Sequence, residues 1–356
     1  MAFPPTTQQA VVPLEAIQAF FVDYADALVG QLQPFRELQN PFLPWTYVAP
    51  AAGKELVLPF SSVVPQWHTD IGIAGRLHQL PIVREVSYAR GPADTMDMGE
   101  FLPRLQSNAS FGATILQPQV QAKSINNHPV YMQANKLNDG FTLDAWDGKR
   151  FWVLNTASDG DKHPCNIGKT SLGVYHTARE NMDIVPTNIK LLLQDLISRP
   201  GYDGKPLGTQ RKPFVWGPTE LRTEFEDVLE RMEWSVDGGT GGNNIALQRA
   251  TFVEFPGCRS DMWGAAVTPE TIWELAFVLL LGAMPNTDSG PPPQIQGFQL
   301  DLRGKDTIPH REVILVDEAR AESQLGHWVG VRVKVQETAH LHSPSAFMAA
   351  FTGSAS

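Results

Sequence analysis

Prolines set the strongest local limit on what this chain can form, because five of them interrupt the segment between residues 34 and 65. They are Pro34, Pro41, Pro44, Pro50 and Pro59. Proline lacks a backbone N–H and fixes φ, so long regular structure is excluded here. The same segment carries strongly apolar residues, namely Trp45, Tyr47, Val57, Leu58 and Phe60. An extended apolar segment of this kind must bury its side chains, either in its own core or against another subunit.

Length and charge limit the remaining possibilities. The 356 residues correspond to two domains at roughly 150 residues each. Lys and Arg number 28 against 38 Asp and Glu, a formal charge of -10, which argues against a large basic face for binding phosphates. Charged residues make up only 19 %, with 29 Gly and 28 Pro, a composition typical of a loop-rich protein with many contacts rather than of a helical bundle.

The cysteines and the apolar segments predict a soluble protein of a reducing compartment. Cys165 and Cys258 are too few for a disulfide framework, and neither has a second ligand at metal-binding spacing. Residues 1–13 show neither the basic region nor the apolar region of a signal peptide. The most apolar run, residues 272–284, contains Glu274 and is shorter than the ~20 residues that cross a bilayer. We expect that run to be a buried strand or a short helix in a cytoplasmic protein.

Periodicity predicts several elements before residue 160. Apolar spacing predicts an amphipathic helix over 14–29, and alternation over 80–88 predicts one limb of a β-hairpin. A further helix is predicted over 118–137, interrupted at His128-Pro129. Asp147-Gly148 between aromatic flanks is the strongest hairpin signal in the chain.

The later sequence alternates between helix and strand patterns. A helix is predicted from Ile189 to Ile197, ended by Pro200-Gly201, and another from Leu221 to Met232. Strands are predicted over 213–216, 251–255 and 272–283, so that residues 185–285 form a compact α/β unit. After a proline-rich linker at 286–293, strands are predicted over 313–316 and 328–335, and 343–356 is predicted to be a loosely held tail.

No group of residues reaches the standard of a catalytic or ligand site. The glycine run 238–242 follows a helix and lacks the Lys-Ser/Thr of a phosphate loop, so it is predicted to be a flexible loop. His163 and Cys165 are too close on a rigid His-Pro-Cys segment to act as base and nucleophile. His340 and His342 lack a third metal ligand and are predicted to lie at the surface.

Two remaining candidates have simpler explanations. Asp144 and Asp147 could form a carboxylate pair, but turn formation already explains Asp147. The sequon Asn108-Ala109-Ser110 carries no weight without a secretory signal. We therefore assign no catalytic, cofactor-binding or metal-binding residue and predict that the protein is not an enzyme. Apolar arms and a hairpin that find partners in other copies are typical of assembly proteins.

A series of short motifs resembles the Mu-like major head subunit family of tailed-bacteriophage capsid proteins. The series begins with HPVYMQANKLNDGF at 128–141, AWDGKRFW at 145–152 and His163-Pro164. It continues with FVWGPTEL at 214–221, Asn243-Asn244, Trp263 and Gly326-His327-Trp328. The resemblance covers roughly residues 65–335, and its specificity lies in the order and spacing of the motifs.

The resemblance implies an α+β capsid fold of the Hong-Kong-97 type. Its parts would be an N-arm (1–50), an E-loop hairpin (51–95), a discontinuous peripheral domain with a spine helix (96–145 and 294–342), an α/β axial domain (146–293) and a C-terminal tail (343–356). The family's compact Trp-x-Gly-x-Arg is spread here over Trp67 and Gly75-Arg76, which leaves the E-loop bounds open. Some relatives of this fold join subunits by a Lys-Asn bond, and Lys54, the only lysine from 51 to 95, leaves such a cross-link open without indicating it.

The same resemblance implies the function and the partners. The chain would be a major capsid protein whose hexamers and pentamers form an icosahedral shell around double-stranded DNA, assembled in the bacterial cytoplasm. Its partners would be other copies of itself, a portal and a separate scaffolding protein; whether decoration proteins bind outside stays open. Packaged DNA would be enclosed rather than tightly bound, and no cofactor or membrane is implied. The alternatives are an encapsulin-type compartment of the same fold and an α/β enzyme that binds a small molecule through 185–285.

Overall fold

The computed structural model describes most of the chain in separate stretches. These are residues 27, 30–31, 39–51, 55–61, 75–81, 86–90, 108–164, 174–199, 211–230, 233–234, 242–243, 250–270, 274–282, 294–295, 298–299, 311–319 and 327–354. The predicted helix over 14–29 therefore lies almost wholly outside the described residues.

Helices and strands are both present, as an α+β fold requires. The α-helices are α1 (Asn108–Asn138), α2 (Pro186–Ser198) and α3 (Arg222–Glu230), with 3-10 turns at Leu43–Trp45 and Thr219–Leu221. The strands of the first half are β1 (Thr46–Ala51), β2 (Glu55–Ser61), β3 (Gly75–Pro81), β4 (Val86–Arg90), β5 (His163–Pro164), β6 (Val174–Tyr175) and β7 (Ala178–Arg179). Those of the second half are β8 (Pro213–Gly217), β9 (Glu233–Trp234), β10 (Gly242–Asn243), β11 (Thr251–Glu254), β12 (Met262–Val267), β13 (Phe277–Gly282), β14 (Gln294–Ile295), β15 (Phe298–Gln299), β16 (Arg311–Ala319), β17 (His327–Leu341) and β18 (Phe347–Phe351).

The chain divides into two compact units, and each is assembled from separated segments. The first unit contains Met1–Leu38, Glu85–His128 and Gly282–Glu337. The second contains Gln39–Arg84, Pro129–Leu281 and Thr338–Ser356. The helix α1 and the strand β17 each begin in the first unit and end in the second. The five predicted parts have other bounds and stay predictions.

A long antiparallel pair dominates the described backbone of the first unit. Strand β16 pairs with β17 from Arg311↔Val335 to Ala319↔His327. Strand β4 pairs with the other edge of β17, from Arg332↔Arg90 to Gln336↔Val86. Both predicted strands of this region, 313–316 and 328–335, are thus confirmed, and β17 is longer than predicted.

The second unit is built on a mixed five-stranded sheet of order β11-β8-β12-β18-β7. Strands β8 and β11 are parallel and are connected through α3, which makes a βαβ unit. Strand β12 pairs antiparallel with both β8 and β18, and β18 pairs parallel with β7. The alternating helices and strands predicted for 185–285 are therefore present, with α2, β8, α3, β11 and β13 close to their predicted positions.

Both faces of this sheet are covered by apolar side chains. Along β18, Phe347 belongs to one cluster and Met348 to the other, and β12 alternates in the same way with Met262 and Trp263. We call the cluster with Phe347 the aromatic cluster; it contains Phe42, Trp45, Trp152, Trp216 and Phe255. We call the cluster with Met348 the helix cluster; it contains Ile189, Leu192, Leu193 and Leu196 of α2 and Phe225 and Val228 of α3.

Smaller pairings complete the second unit. Strands β2 and β3 form an antiparallel hairpin from Glu55↔Pro81 to Ser61↔Gly75, inside the segment predicted to be the E-loop. Strand β13 lies next to β1 and to β17 in its sheet. Directly after β17, His342 N donates a hydrogen bond to the carbonyl oxygen of Ala276, which directly precedes β13. The apolar run after residue 272 is therefore a buried strand, one of the two alternatives left open.

The predicted interruption at His128-Pro129 is wrong. Helix α1 runs for 31 residues through this point and begins ten residues before the predicted start at 118. Proline has a φ compatible with a helix. It lowers the stability of the helix chiefly because one hydrogen bond is missing and its ring clashes with the preceding turn. Buried residues on both sides of the proline, Ile125, Val130 and Ala134, offset that cost.

The hairpin limb predicted over 80–88 is also wrong. Residues 80–81 end β3, whereas 86–88 begin β4, which pairs with β17. The continuous alternation from Leu80 to Tyr88 thus belongs to two strands with different partners. Alternation records which face of a strand is buried and carries no information about its partner.

The prediction of a loosely held tail at 343–356 is wrong as well. Strand β18 lies inside the five-stranded sheet, and every residue from 341 to 351 is buried. Because both faces of β18 are covered, its sequence FMAAF lacks the polar alternation of a half-exposed strand. Small residues in this segment permit close packing in the centre of the sheet.

Candidate functional site

The described residues do not bring the sequence candidates together as an active site. In the part of the chain that the structure describes, no group of three or more His, Cys, Asp and Glu side chains could hold a metal ion. Cys165, Lys54 and residues 238–241 lie outside the described residues. Among the described residues, no helix combines the length and the apolar character needed to span a membrane.

The segment 144–150 forms the tight turn that Asp147-Gly148 predicts. Gly148 has φ +75°, and its N–H donates to Ala145 O. Asp147 Oδ1 accepts from Lys149 N at 3.0 Å, a side-chain contact typical of such turns. The flanks are joined only by a bridge between Asp144 and Arg150, so the turn is confirmed but no long hairpin follows. The aromatic flanks Trp146, Phe151 and Trp152 are buried in the aromatic cluster instead.

The second carboxylate oxygen of Asp147 holds His163. Asp147 Oδ2 lies 2.8 Å from His163 Nδ1, and neither side chain is more than 1 % exposed. A carboxylate oxygen only accepts, so it selects the imidazole form that carries a proton on Nδ1. Within the part of the chain that the structure describes, His163 Nε2 is buried without a hydrogen-bond partner, and the ring stacks on Tyr175 at 5.3 Å. Sequence reasoning tested His163 with Cys165 and Asp144 with Asp147, and it missed the pair that forms.

Arg199 clamps the segment before β18. Its guanidinium is buried, and Nη1 donates to the carbonyl oxygens of Pro344, Ser345 and Phe347, each at 2.9 Å. Nη2 donates to His176 O at 2.9 Å, and the guanidinium lies 4.5 Å from the centre of the Tyr175 ring. The planar five-donor group of arginine suits this arrangement, in which one side chain joins the end of α2 to two other segments.

A charged cluster joins α2 to β7. Arg179 Nε donates to Asp195 Oδ2 at 2.6 Å, and His176 Nε2 lies 3.4 Å from the same oxygen. Burial by itself raises the pKa of the Asp195 carboxyl, but hydrogen bonds from His176 and Arg179 and the positive charge of Arg179 hold that pKa below its ordinary value. Asp195 is therefore an ionised partner of β7.

Glu274, the single charge in the apolar run, has a partner of its own. Its carboxylate is buried and binds Arg211 through both oxygens, Oε2 to Nη1 at 2.6 Å and Oε1 to Nη2 at 3.2 Å. Glu274 Oε2 also accepts from Glu270 N at 2.8 Å. A buried carboxylate is tolerated because these three donors satisfy it.

The other sequence candidates occupy structural positions. His342 is fully buried, so the prediction that His340 and His342 lie at the surface is wrong for His342, whose backbone joins β13. Asp144 is exposed and pairs with Arg150 at 2.9 Å rather than with Asp147. Asn108-Ala109-Ser110 begins α1. Cys258 is a buried free cysteine, and burial raises the pKa of its thiol to about 12, which makes it a poor nucleophile.

A shallow groove of about 420 Å³ lies between α3 and the edge strand β11. Its rim carries Arg222, which contacts Glu226 Oε1 at 2.7 Å and Glu254 Oε2 at 3.4 Å. Leu229, Ala250 and Phe252 supply apolar lining. Arg222 thus bridges two carboxylates at the surface, and among the described lining residues no further polar groups converge on a ligand position.

Residues from separate motifs of the sequence meet in the aromatic cluster. Trp152 Nε1 donates to Leu137 O at 2.8 Å, and Trp152 N donates to Gly140 O at 2.9 Å. A Cβ atom on Gly140 would overlap the indole of Trp152, so glycine is needed there. Trp152 in turn stacks on Trp216 at 6.3 Å. Three motifs, around 137–140, 145–152 and 214–221, thus form one packed structure.

Comparisons with known proteins find similarity only among solved structures. No protein-family model matches the chain, and no curated protein matches it. A chain of Mycobacterium phage Patience aligns at 10 % identity and TM-score 0.47, covering 97 % of this chain and 89 % of that one. The mature capsid of bacteriophage PhiM1 aligns at 12 % and 0.40, covering 87 % and 86 %. The SrpI encapsulin of Synechococcus elongatus PCC 7942 aligns at 8 % and 0.39, covering 98 % and 92 %.

The last two of these names are those of a phage capsid and of an encapsulin complex. All three TM-scores are below 0.5, so we base no functional conclusion on them.

Proposed function

We propose that this chain is a major capsid protein of a tailed bacteriophage, of the Mu-like head subunit type. Its copies form the hexamers and pentamers of an icosahedral shell that encloses double-stranded DNA. Portal and scaffolding proteins are its further partners, and assembly takes place in the bacterial cytoplasm. The work of such a protein is self-association rather than catalysis.

The observation that carries this proposal is the meeting of the motifs in space. The resemblance rests on short motifs whose specificity is their order, and chance matches would be scattered over the surface. Instead, Gly140 contacts Trp152, Trp152 stacks on Trp216, and Asp147 binds His163. These contacts support treating the motifs as one inherited core.

Buried polar contacts that join separate segments of the chain support the same function. In a closed shell, symmetry repeats each small contact between subunits many times. These contacts can all form together only if every subunit keeps the same shape. Arg199, Glu274 and the Asp147–His163 pair each fix two or more segments with buried hydrogen bonds. The net charge of -10 is compatible with enclosure of DNA, which does not require tight binding.

The test is the size of the purified full-length protein. Sedimentation and negative-stain microscopy at increasing protein concentration should show closed particles of tens of nanometres. A protein that stays monomeric at high concentration would contradict the proposal.

Particles taken from the native source decide which kind of shell is formed. Double-stranded DNA inside supports the phage head. Particles that contain an enzyme and no DNA would contradict the phage head and support the encapsulin alternative. Saturable binding of a nucleotide or an acyl ligand by a monomer would favour the α/β enzyme.

A further inference from the structure

Two helices cover the same face of the five-stranded sheet, and their outer surfaces differ in charge. Helices α2 and α3 both contribute to the helix cluster, so both present their opposite sides outward. On α3 the exposed residues include Arg222, Glu224, Glu226 and Asp227. On α2 the exposed residues are Thr187, Leu191, Gln194 and Ser198, and none of them is charged.

The uncharged residues of α2 form one continuous stripe. Their spacing of four, three and four residues places them on a single helical face. Leu191, in the middle of the stripe, has 37 % of its surface exposed. We call these four residues, Thr187, Leu191, Gln194 and Ser198, the α2 stripe.

Neither of the two charged residues of α2, Lys190 and Asp195, is among the exposed residues of this stripe. Asp195 is bound by Arg179 of β7 at 2.6 Å. Lys190 is half-buried and has an interaction of its own. The exposed residues of α2 therefore form an uncharged, partly apolar surface in a chain whose net charge is -10.

We propose that the α2 stripe is a contact surface for a second copy of this chain. Two copies with equal negative charge repel each other, and the repulsion is least where the facing surface carries no charge and no charged side chain must be desolvated. The charged outer face of α3 is unsuited to the same contact. This inference rests on the proposed function and names one surface through which the copies meet.

The size of the stripe indicates what kind of contact it makes. Eleven residue steps of about 1.5 Å give a length of roughly 16 Å from Thr187 to Ser198. One helix face of this length buries much less than the ~800 Å² per partner of a stable interface. The α2 stripe is therefore one of several contacts that each copy makes in a closed shell, and it does not support an isolated dimer.

The experiment compares Leu191→Asp with Thr223→Asp, which adds the same charge to the exposed outer face of α3. Both variants of the full-length protein are purified, and their particle yield is measured by sedimentation and microscopy. Leu191→Asp should lower the yield at least about tenfold because a carboxylate in the contact loses its water. Thr223→Asp should assemble like the wild type, and both should keep the wild-type circular dichroism and melting temperature.

Other results separate this inference from the proposed function. If the wild type and Leu191→Asp assemble equally well, the inference is wrong, and the proposed function stands. If the wild type never assembles, both fail. Should Leu191→Asp lose stability, Gln194→Lys on the same stripe gives the same readout without removing an apolar side chain, and unchanged assembly of that variant contradicts the inference.

Discussion

Asp147 and His163 are joined through Oδ2 and Nδ1 at 2.8 Å, and the side-chain exposure of the pair is 1 % and 0 %. Replacing Asp147 by Ala leaves the imidazole without its acceptor and also removes the hydrogen bond to Lys149 N. We expect the free energy of unfolding to fall by about 3 kcal/mol, within the range for breaking a buried hydrogen-bonded pair. Urea denaturation measures this change.

Asp144 in the same turn supplies the matched control. It pairs with Arg150 at the surface, with 59 % of its side chain exposed. Asp144→Ala should cost less than about 1 kcal/mol, as exposed ion pairs do. Equal losses in the two variants would show that burial of the Asp147–His163 pair contributes nothing.

Removal of the Arg199 guanidinium should release the segment that leads into β18. Arg199→Leu loses the three donated hydrogen bonds to residues 344–347 and the one to His176 O. We expect a loss of about 3 kcal/mol and faster hydrogen exchange of the β18 amides. Arg199→Lys should restore little of this loss, since one ammonium group cannot reproduce the planar fork. Full rescue by lysine would show that charge alone is required.

Deletion of residues 342–356 should prevent folding of the second unit. The deletion removes β18 from between β12 and β7 and exposes both buried faces of the sheet. We expect loss of the cooperative unfolding transition in circular dichroism. A chain that stops after Gly353, and therefore keeps β18, should melt like the wild type. A cooperative transition in the longer deletion would contradict the placement of β18.

The charged cluster at Asp195 predicts an acid-dependent loss of stability. The folded pKa of this carboxyl lies below its ordinary value of 3.8, so the protein gains stability from it above that value and loses the gain as pH falls through the folded pKa. Asp195→Asn should be less stable than the wild type at pH 7, and the difference should shrink below pH ~4. Urea denaturation at a series of pH values measures it; a constant difference would refute the assignment.

Gly264 is the glycine of β12 that cannot carry a side chain. A Cβ atom there would overlap the carbonyl oxygen of Met348 and the indole ring of Trp216. Gly264→Ala should therefore cost more than about 3 kcal/mol or prevent folding, because neither neighbour is free to move in the packed sheet. Gly160→Ala, where the nearest atom is 3.8 Å away, is the control and should leave the melting temperature nearly unchanged.

Elements with a strong local signal could be predicted from the sequence. The helix α2 carries Ile189, Leu192, Leu193 and Leu196 at helical spacing, and Pro200 follows its end. Strand β17 alternates clearly, and Asp147-Gly148 defines its turn. In each case the signal is contained within fewer than twenty residues.

Features that depend on distant partners could not be predicted. Strand β18 contains two alanines between aromatic ends, and only its position between β12 and β7 explains why all five residues are buried. His163 meets Asp147 because β5 lies beside the turn, a contact across 16 residues that no motif spacing records. The carbonyl acceptors of Arg199 are backbone atoms at separations of 145, 146 and 148 residues, and backbone atoms leave no trace in a sequence.

The position of β18 also governs the timing of folding during synthesis. Of the five strands in its sheet, β18 is the last to be translated, and yet β7, made some 170 residues earlier, has it as a sheet neighbour. A nascent chain that has reached only β12 therefore has an open sheet edge and uncovered apolar side chains, and it keeps them until residue 351 has been made. The sheet closes late, so subunits still being made lack the finished surface that association with other copies would require.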